Sequence, residues 1–522
     1  MLLHHVVEFA AAARPDDTSL IAGQERWTFA DLHDRVAAMA ATIGSVTSPG
    51  DRVAIIADNH PAVVTALYSV PLARTIATFA NTRHTPAEIA TLLHDTEPTV
   101  VLASGAQLDR LVAVLPTVRS LRSVICIDGP HPCADADLAA LLEPGTSPST
   151  SDIDEDVDED IDVDACAWLI HTSGTTGRAK GAMLTHRSLL AAVQNTAICR
   201  PMADDDVYLF PFPLFHVAAY NVVHSHLRRR PVVLMPRFDA AETLRLISSE
   251  QVTTCSLAPT MLSMLLDHPG RSPQDLATLR QISYGASAMP LDLLRRVLRE
   301  LPDCGLAQGY GMTELSGNAV FLDPETHRRA AAHEEHLLAA AGRPGPLVAL
   351  RIADDDGNEL PPGSAGEILV RGDQVCAGYW LAPEATAESR VGPWLRTGDI
   401  GRIDREGFLY VVDRKKDLII SGGENVASRE VEDVLSTHEA VGQVAVVGLA
   451  DDRWGERICA VVVPAPGLEI EPAELVAWTD GRLAGFKRPR IVVVVGELPV
   501  NASGKIDKRL VRELVSGHDH AG

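Results

Sequence analysis

Apolar residues recur at helical spacing from Phe29 to Ile43, and the run Arg52-Val53-Ala54-Ile55-Ile56 is apolar at every position but its first. The first pattern predicts an amphipathic helix and the second a buried strand. Helix-period and strand-length segments keep alternating along the chain, which predicts α/β layers with largely parallel sheets and covering helices. Runs such as 491–495 have the length of a strand, and none is long enough to cross a bilayer. The pattern breaks once. From Asp152 to Asp164 every residue is acidic except Ile153, Val157, Ile161 and Val163, and a Pro- and Ser-rich stretch comes before it. That segment lacks the glycine and spacing of a calcium loop, so about 147–164 is expected to be a solvated linker.

Size and charge narrow the partners. At 522 residues the chain exceeds what one hydrophobic core supports. A formal net charge of −24 disfavours nucleic acid and anionic lipid, both of which want basic surfaces. Small molecules remain. The eight cysteines stand singly, without the paired spacing of a zinc site or a disulfide framework, and the N-terminus lacks the features of a signal peptide. A cytoplasmic protein without integral membrane contact is expected.

The densest chemical signal is Thr172-Ser173-Gly174-Thr175-Thr176-Gly177-Arg178-Ala179-Lys180-Gly181. Glycines let backbone N–H groups approach phosphate oxygens, the hydroxyls add donors, and Lys180 adds a positive charge. A Walker A loop needs Lys directly after its last Gly, and here Arg178 and Ala179 intervene. The loop is expected between a strand at 167–171 and a helix starting near 185–188, where phosphates meet backbone donors. This points to an enzyme that uses ATP.

Further segments follow in a set order: Pro213-Leu214-Phe215-His216, Gln308-Gly309-Tyr310-Gly311-Met312-Thr313-Glu314, Gly366-Glu367-Ile368, Gly378-Tyr379, Thr397-Gly398-Asp399, Asp413-Arg414-Lys415-Lys416-Asp417, Ser421-Gly422-Gly423-Glu424 and Asn501-Ala502-Ser503-Gly504-Lys505. With the loop they resemble the adenylate-forming (ANL) superfamily, and within it the acyl-CoA synthetases, over nearly the whole chain. The resemblance implies a large N-terminal domain, 1–413, of layered α/β subdomains with a small β-barrel-like subdomain. A small mobile α+β domain, 414–522, would turn about a hinge near Lys416.

It also implies an activity and its residues. A carboxylic acid and MgATP would give an acyl-adenylate and pyrophosphate, after which coenzyme A would take the acyl group and release AMP. An acyl-AMP ligase that loads a carrier protein, and a non-catalytic adenylate-binding protein, are the alternatives. Lys505, His216, Thr313 and Glu314 would be catalytic, with Glu314 also holding Mg²⁺. Thr172 to Gly177, Lys180, Gly285, Ala286, Gln308, Gly309, Tyr310, Gly311 and Met312 would hold the nucleotide, with Asp399 on the ribose hydroxyls and Arg414 beside it. Gly422 and Gly423 would leave a narrow passage for the pantetheine arm. Tyr220, Ser283, Tyr284 and Gly317 would line the acyl pocket, the two tyrosines favouring a medium-chain, aryl or short acid. His216, Tyr220 and Val223 would share a face if 217–223 is helical, while His224 and His226 are expected to be packing or surface residues. Arg228-Arg229-Arg230 is expected to form a solvated corner. Phe486-Lys487-Arg488 is either a CoA contact or a basic turn. A homodimer stays open.

Overall fold

Thr28 starts the helix expected at Phe29. Its hydroxyl accepts the Asp31 N–H at 3.1 Å while the Asp31 carboxylate accepts the Thr28 N–H at 2.8 Å, which closes a capping box over Phe29–Gly44. Phe29, Leu32, Val36, Met39 and Ile43 form its buried stripe. The computed structural model describes residues 1–142, 161–172, 179–285, 287, 289–422, 424–451, 453–500 and 506–516.

The strand expected at Arg52–Ile56 lies inside a seven-stranded sheet, parallel to Ile76–Phe79 on one side and Val100–Ala103 on the other. Cys166–Thr172 joins the same sheet in parallel, and Lys180–Thr185 closes its edge antiparallel. A nine-stranded sheet carries a parallel centre of Val232–Leu234, Tyr208–Phe210, Thr254–Leu257, Gln281–Gly285 and Gly305–Met312, with antiparallel strands added at both margins. Helices cover these sheets, and one large apolar core runs from Leu3 through Trp168 to Tyr220. The α/β expectation holds.

The chain divides into two compact units. The first comprises 1–289, 295–349 and 371–395, and the second 290–294, 350–370 and 396–522. In the second unit Val441–Asp451 and Gly455–Pro464 form a long antiparallel pair, with Ile491–Val494 parallel to the latter. Alternation along these strands feeds two cores: Val446, Ile458 and Ala460 point to one, and Ala445, Val447 and Cys459 to the other. A branched five-stranded sheet includes Trp394–Ile403 and Leu409–Arg414. Among the described residues no helix is long and apolar enough to cross a membrane.

The elements used below are β1 (Cys166–Thr172), β2 (Lys180–Thr185), α1 (His186–Cys199), α2 (Tyr220–Leu227), β3 (Thr254–Leu257), β4 (Gln281–Gly285), β5 (Gly305–Met312), β6 (Gly317–Leu322), α3 (Pro324–Ala332), β7 (Trp394–Ile403) and β8 (Leu409–Arg414).

Candidate functional site

The hydroxyl-rich segment connects two antiparallel strands and does not lead into a helix. Thr172 at the end of β1 is register partner to Lys180 at the start of β2, and α1 begins only at His186. The strand before the segment and the helix start near 185–188 stand where they are expected, and the strand between them, β2, is the addition. The reason is tertiary: the outer edge of β2 takes up the distant segment 377–380, through Met183 N–H to Gly378 O at 2.9 Å, Ala377 N–H to Met183 O at 2.9 Å and Trp380 N–H to Gly181 O at 2.8 Å. A strand paired on both sides holds at 180–185.

The base of this hairpin meets Glu314. A single 3-10 turn, Thr313–Leu315, follows β5 and buries the Glu314 side chain, leaving the residue 6% exposed. Its Oε1 accepts from the Tyr379 hydroxyl at 2.9 Å and from Thr172 Oγ1 at 3.4 Å. Lys180 Nζ stands 5.4 Å from the centre of the Tyr379 ring. Burial first, and then the Glu314 carboxylate, hold the Tyr379 phenol well above its ordinary value, so it remains a donor. Behind the turn, Gln374 is fully buried and donates to Leu315 O at 2.9 Å and Asn318 O at 3.1 Å while accepting from Asn195 Nδ2 at 2.9 Å. Tyr379, Gln374 and Asn195 had no assigned role from sequence. Only the Gly378-Tyr379 pair stood out there.

β4, β5 and β6 form the adjoining wall. A Cβ on Gly285 would come within 2.5 Å of Gly309 O, one on Gly309 would strike the Asn318 side chain, and one on Gly311 would strike Gly317 O. These glycines let neighbouring backbones approach, which is a packing demand independent of any ligand. Gly317, at φ +151°, faces the Tyr220 ring at 3.0 Å from where a Cβ would lie. Tyr220 is buried and its hydroxyl accepts from Thr196 at 3.4 Å. Strand alternation separates Ser283 from Tyr284. The Tyr284 hydroxyl meets His327 Nε2 of α3 at 2.7 Å and Gln308 at 3.2 Å, away from the face of Ser283. The structure thus brings Ser283 and Gly309 together and does not bring Tyr284 to them. Tyr310, Gly311 and Met312 are half-buried at the end of β5.

His216 lies ahead of α2. It caps a 3-10 turn, Val217–Ala219, by accepting the Ala218 N–H on Nδ1 at 3.1 Å, so the proton of the neutral ring sits on Nε2. His224 and His226 are fully buried. His226 Nδ1 stands 2.8 Å from the Tyr68 hydroxyl and Nε2 3.2 Å from Ser19 O, and burial pulls its pKa down to about 4. Of the three arginines, Arg228 and Arg229 are exposed as expected, whereas Arg230 is buried and donates to Asp204 at 3.1 Å.

In the second unit, Asp399 of β7 pairs in register with Arg414 of β8, and Arg414 Nε reaches Asp399 Oδ1 at 2.7 Å. Asp399 is 5% exposed. Gly422, at φ +63°, donates its N–H to Trp454 O at 2.7 Å beneath the Trp454 ring. Asp413 accepts from Ser428 N–H and Oγ at 2.6 and 2.7 Å. Lys487 sits on Glu430 at 2.7 Å and Arg488 on Asp480 at 2.9 Å, so both basic residues already have carboxylate partners. Ser173, Gly174, Thr175, Thr176, Gly177, Ala286, Gly423 and Lys505 lie outside the described residues, as does 143–160 of the acidic segment.

Parallel α/β layers, a hydroxyl-rich hairpin set on a buried carboxylate, and a separate α+β unit together define an enzyme that handles a nucleotide. The chain belongs to the AMP-binding enzyme family, whose model matches residues 7–380, followed by the AMP-binding enzyme C-terminal domain at 430–505. It is 38% identical over 507 residues to a feruloyl-CoA synthase of Amycolatopsis sp., covering 96% of each chain. It is 34% identical over 522 residues to the indoleacetate–CoA ligase of Aromatoleum aromaticum, covering 99% of this chain and 98% of the other. Among solved structures it matches o-succinylbenzoate CoA synthetase from Bacillus subtilis in complex with an acyl-adenylate intermediate, at TM-score 0.82, 29% identity and 97% coverage of both chains.

Proposed function

We propose that this protein is an ATP-dependent acyl-CoA synthetase: a carboxylic acid and ATP give an acyl-adenylate and pyrophosphate, and coenzyme A then displaces AMP to give a thioester. Family membership and the named activities of its relatives support the reading. The observation that carries it is the convergence of the Thr172 and Tyr379 hydroxyls on the buried Glu314 carboxylate at the base of the hairpin, with Lys180 standing over the Tyr379 ring.

The oxygen donors of Glu314 and Thr172 suit Mg²⁺, a hard cation whose bound charge offsets that of the phosphates. Thr172, Lys180 and the segment 173–177 hold the pyrophosphate end of the nucleotide, Thr313 donates to the α-phosphate, and Tyr310 with the backbone of 308–312 and 285–286 lines the adenine. Asp399 takes both ribose hydroxyls, since one carboxylate accepts two charge-assisted bonds, and Arg414 keeps that carboxylate oriented. His216 presents Nε2–H to the acid and orients its carboxylate for attack on the α-phosphorus. Lys505 offsets the charge that builds between the two anions in that step, and Gly422 and Gly423 admit the thiol in the next. The domain 414–522 turns about a hinge near Lys416 between the steps. The acid is a medium-chain, aryl or short carboxylate. The enzyme is cytoplasmic, and light scattering tests the homodimer.

The test is a mass-spectrometric product screen of purified protein with MgATP and graded acids, with and without CoA. Thioester that needs CoA is expected. Acyl-AMP with no thioester would move the acceptor to a carrier protein. ATP binding with no pyrophosphate from any acid would overturn the synthetase reading.

A further inference from the structure

Three residues past the strand Arg52–Ile56 stands Asn59, a buried polar residue, 7% exposed, that the chemistry above does not use. Its side-chain amide makes three short hydrogen bonds, all to backbone far away in the chain. Nδ2 donates to Phe212 O at 2.7 Å and to Met235 O at 2.8 Å, and Oδ1 accepts the Leu214 N–H at 2.7 Å. The partners fix which end of the amide is which, since a reversed amide would set its oxygen against two carbonyls. One side chain at the end of the seven-stranded sheet thus grips the segments that leave Tyr208–Phe210 and Val232–Leu234, two neighbouring strands of the nine-stranded sheet.

Phe212 O and Leu214 N–H lie on either side of Pro213, which has no N–H of its own to anchor the chain. Pro213 O then accepts the His216 N–H at 3.1 Å, so residues 213–216 close a four-residue turn whose last member is the histidine. Past the turn, His216 Nδ1 takes the Ala218 N–H at 3.1 Å and His216 O accepts the Ala219 N–H at 3.0 Å. The ring is held by the residues that follow it, and the turn that carries it is held at its entrance by Asn59. Leu214, 1% exposed, anchors the same turn in the core, but apolar burial has no direction. Hydrogen bonds do, and three of them meeting on one rigid amide set the angle at which the backbone enters the turn.

Resting on the synthetase reading, we propose that Asn59 is a positioning residue for the first half-reaction: it fixes the path of 212–216 so that His216 Nε2–H meets the carboxylate of the acid. Asn59 acts through the turn and not on the substrate. The residue before it supplies a control. Asp58 accepts from Arg237 Nη2 at 2.6 Å and from Thr82 Oγ1 at 2.7 Å, so it ties the same two sheets through partners outside 212–216.

The test takes as probe the best of a graded series of aliphatic and aryl monoacids and measures the half-reactions apart: pyrophosphate release from acid and MgATP, and thioester from CoA and the synthetic adenylate of the same acid. Asn59→Ala should lower kcat/KM for the acid in the first by about 10²-fold, the scale of a misplacement of about 1 Å, with KM for ATP within about twofold. Thioester formation from the adenylate should change by less than about threefold. In a His216→Ala background the same substitution should cost less than about twofold, because a missing ring cannot be misplaced. Asn59→Ser keeps a hydroxyl and leaves room for a bridging water, so it should lose less than Asn59→Ala, and it takes that variant's place in every comparison if Asn59→Ala does not fold. Arg237→Met should leave the acid kinetics unchanged. Losses that add fully between Asn59 and His216, or that fall equally on both half-reactions, would overturn the positioning role and leave the synthetase reading standing. If the unaltered protein releases no pyrophosphate with any acid, the synthetase reading fails and this assignment fails with it.

Discussion

Tyr379→Phe deletes one oxygen from the ring that faces Glu314 and leaves the rest of the side chain in place. The hydroxyl donates to an ionisable carboxylate at 2.9 Å, and the carboxylate sits in a residue only 6% exposed. A hydrogen bond to a charged group is worth about 1.5–3 kcal/mol, and the Thr172 hydroxyl at 3.4 Å is too long to replace it. With RT at room temperature this corresponds to about 10- to 100-fold in whatever equilibrium depends on Glu314 being held in place. The assay is the Mg²⁺ dependence of pyrophosphate release at saturating ATP and acid. The half-saturating Mg²⁺ concentration should rise by that factor, with a melting temperature close to that of the parent. Because burial and Glu314 keep the phenol protonated well beyond its ordinary range, the parent's Mg²⁺ dependence should not change through loss of this proton up to about pH 10. A Tyr379→Phe protein whose Mg²⁺ dependence lies within about twofold of the parent would refute the view that this hydroxyl positions Glu314.

Gln374→Leu keeps the volume but strands two carbonyls and the Asn195 amide, and should cost about 3 kcal/mol or more, read as a drop of several degrees in the melting of the first unit by calorimetry. Gly285→Ala must push its methyl against Gly309 O and should cost about 1–3 kcal/mol together with a fall in adenylate formation. Asp399→Asn should reduce the discrimination between ATP and 2′-deoxyATP, measured as a ratio of kcat/KM, if its carboxylate reads the ribose. His171 and His226 have folded pKa values lowered to about 4 by burial, below the 6.5 of the free side chain, so the unfolded state takes up protons first as pH falls. Their stability contribution is complete above about pH 6.5 and is lost towards pH 4, about 2 kcal/mol each between pH 7 and pH 5, and His226→Gln should flatten that slope in urea titrations.

Much of the scaffold was legible in the chain because its signals are local. The helical spacing at 29–43, the apolar run 52–56 and the strand-length run 491–495 each declare themselves within a few residues. The hairpin at Thr172 and Lys180 did not. Its second strand depends on residues 377–380, nearly two hundred positions away. Tyr379 and Gln374 were hidden for the same reason: a tyrosine or glutamine carries no chemistry until its partner is known. The opposite facing of Ser283 and Tyr284 is different, since a period of two along 281–285 implies it, and the alternation rule applied to that strand would have separated them.

Thr172 and Lys180 face one another across a ladder, so their Cα atoms are about 5 Å apart whatever lies between them. Both anchors belong to one sheet, its edge strand β2 is held by residues 377–380, and Glu314 rests against the anchor Thr172. The intervening stretch is therefore a cassette. Its length and composition can drift, or be exchanged by design, at the small entropic cost of lengthening a closed loop and without displacing the carboxylate beneath it. Descendants of such a scaffold can change how they grip and release a polyphosphate while inheriting the acid-activating floor unaltered.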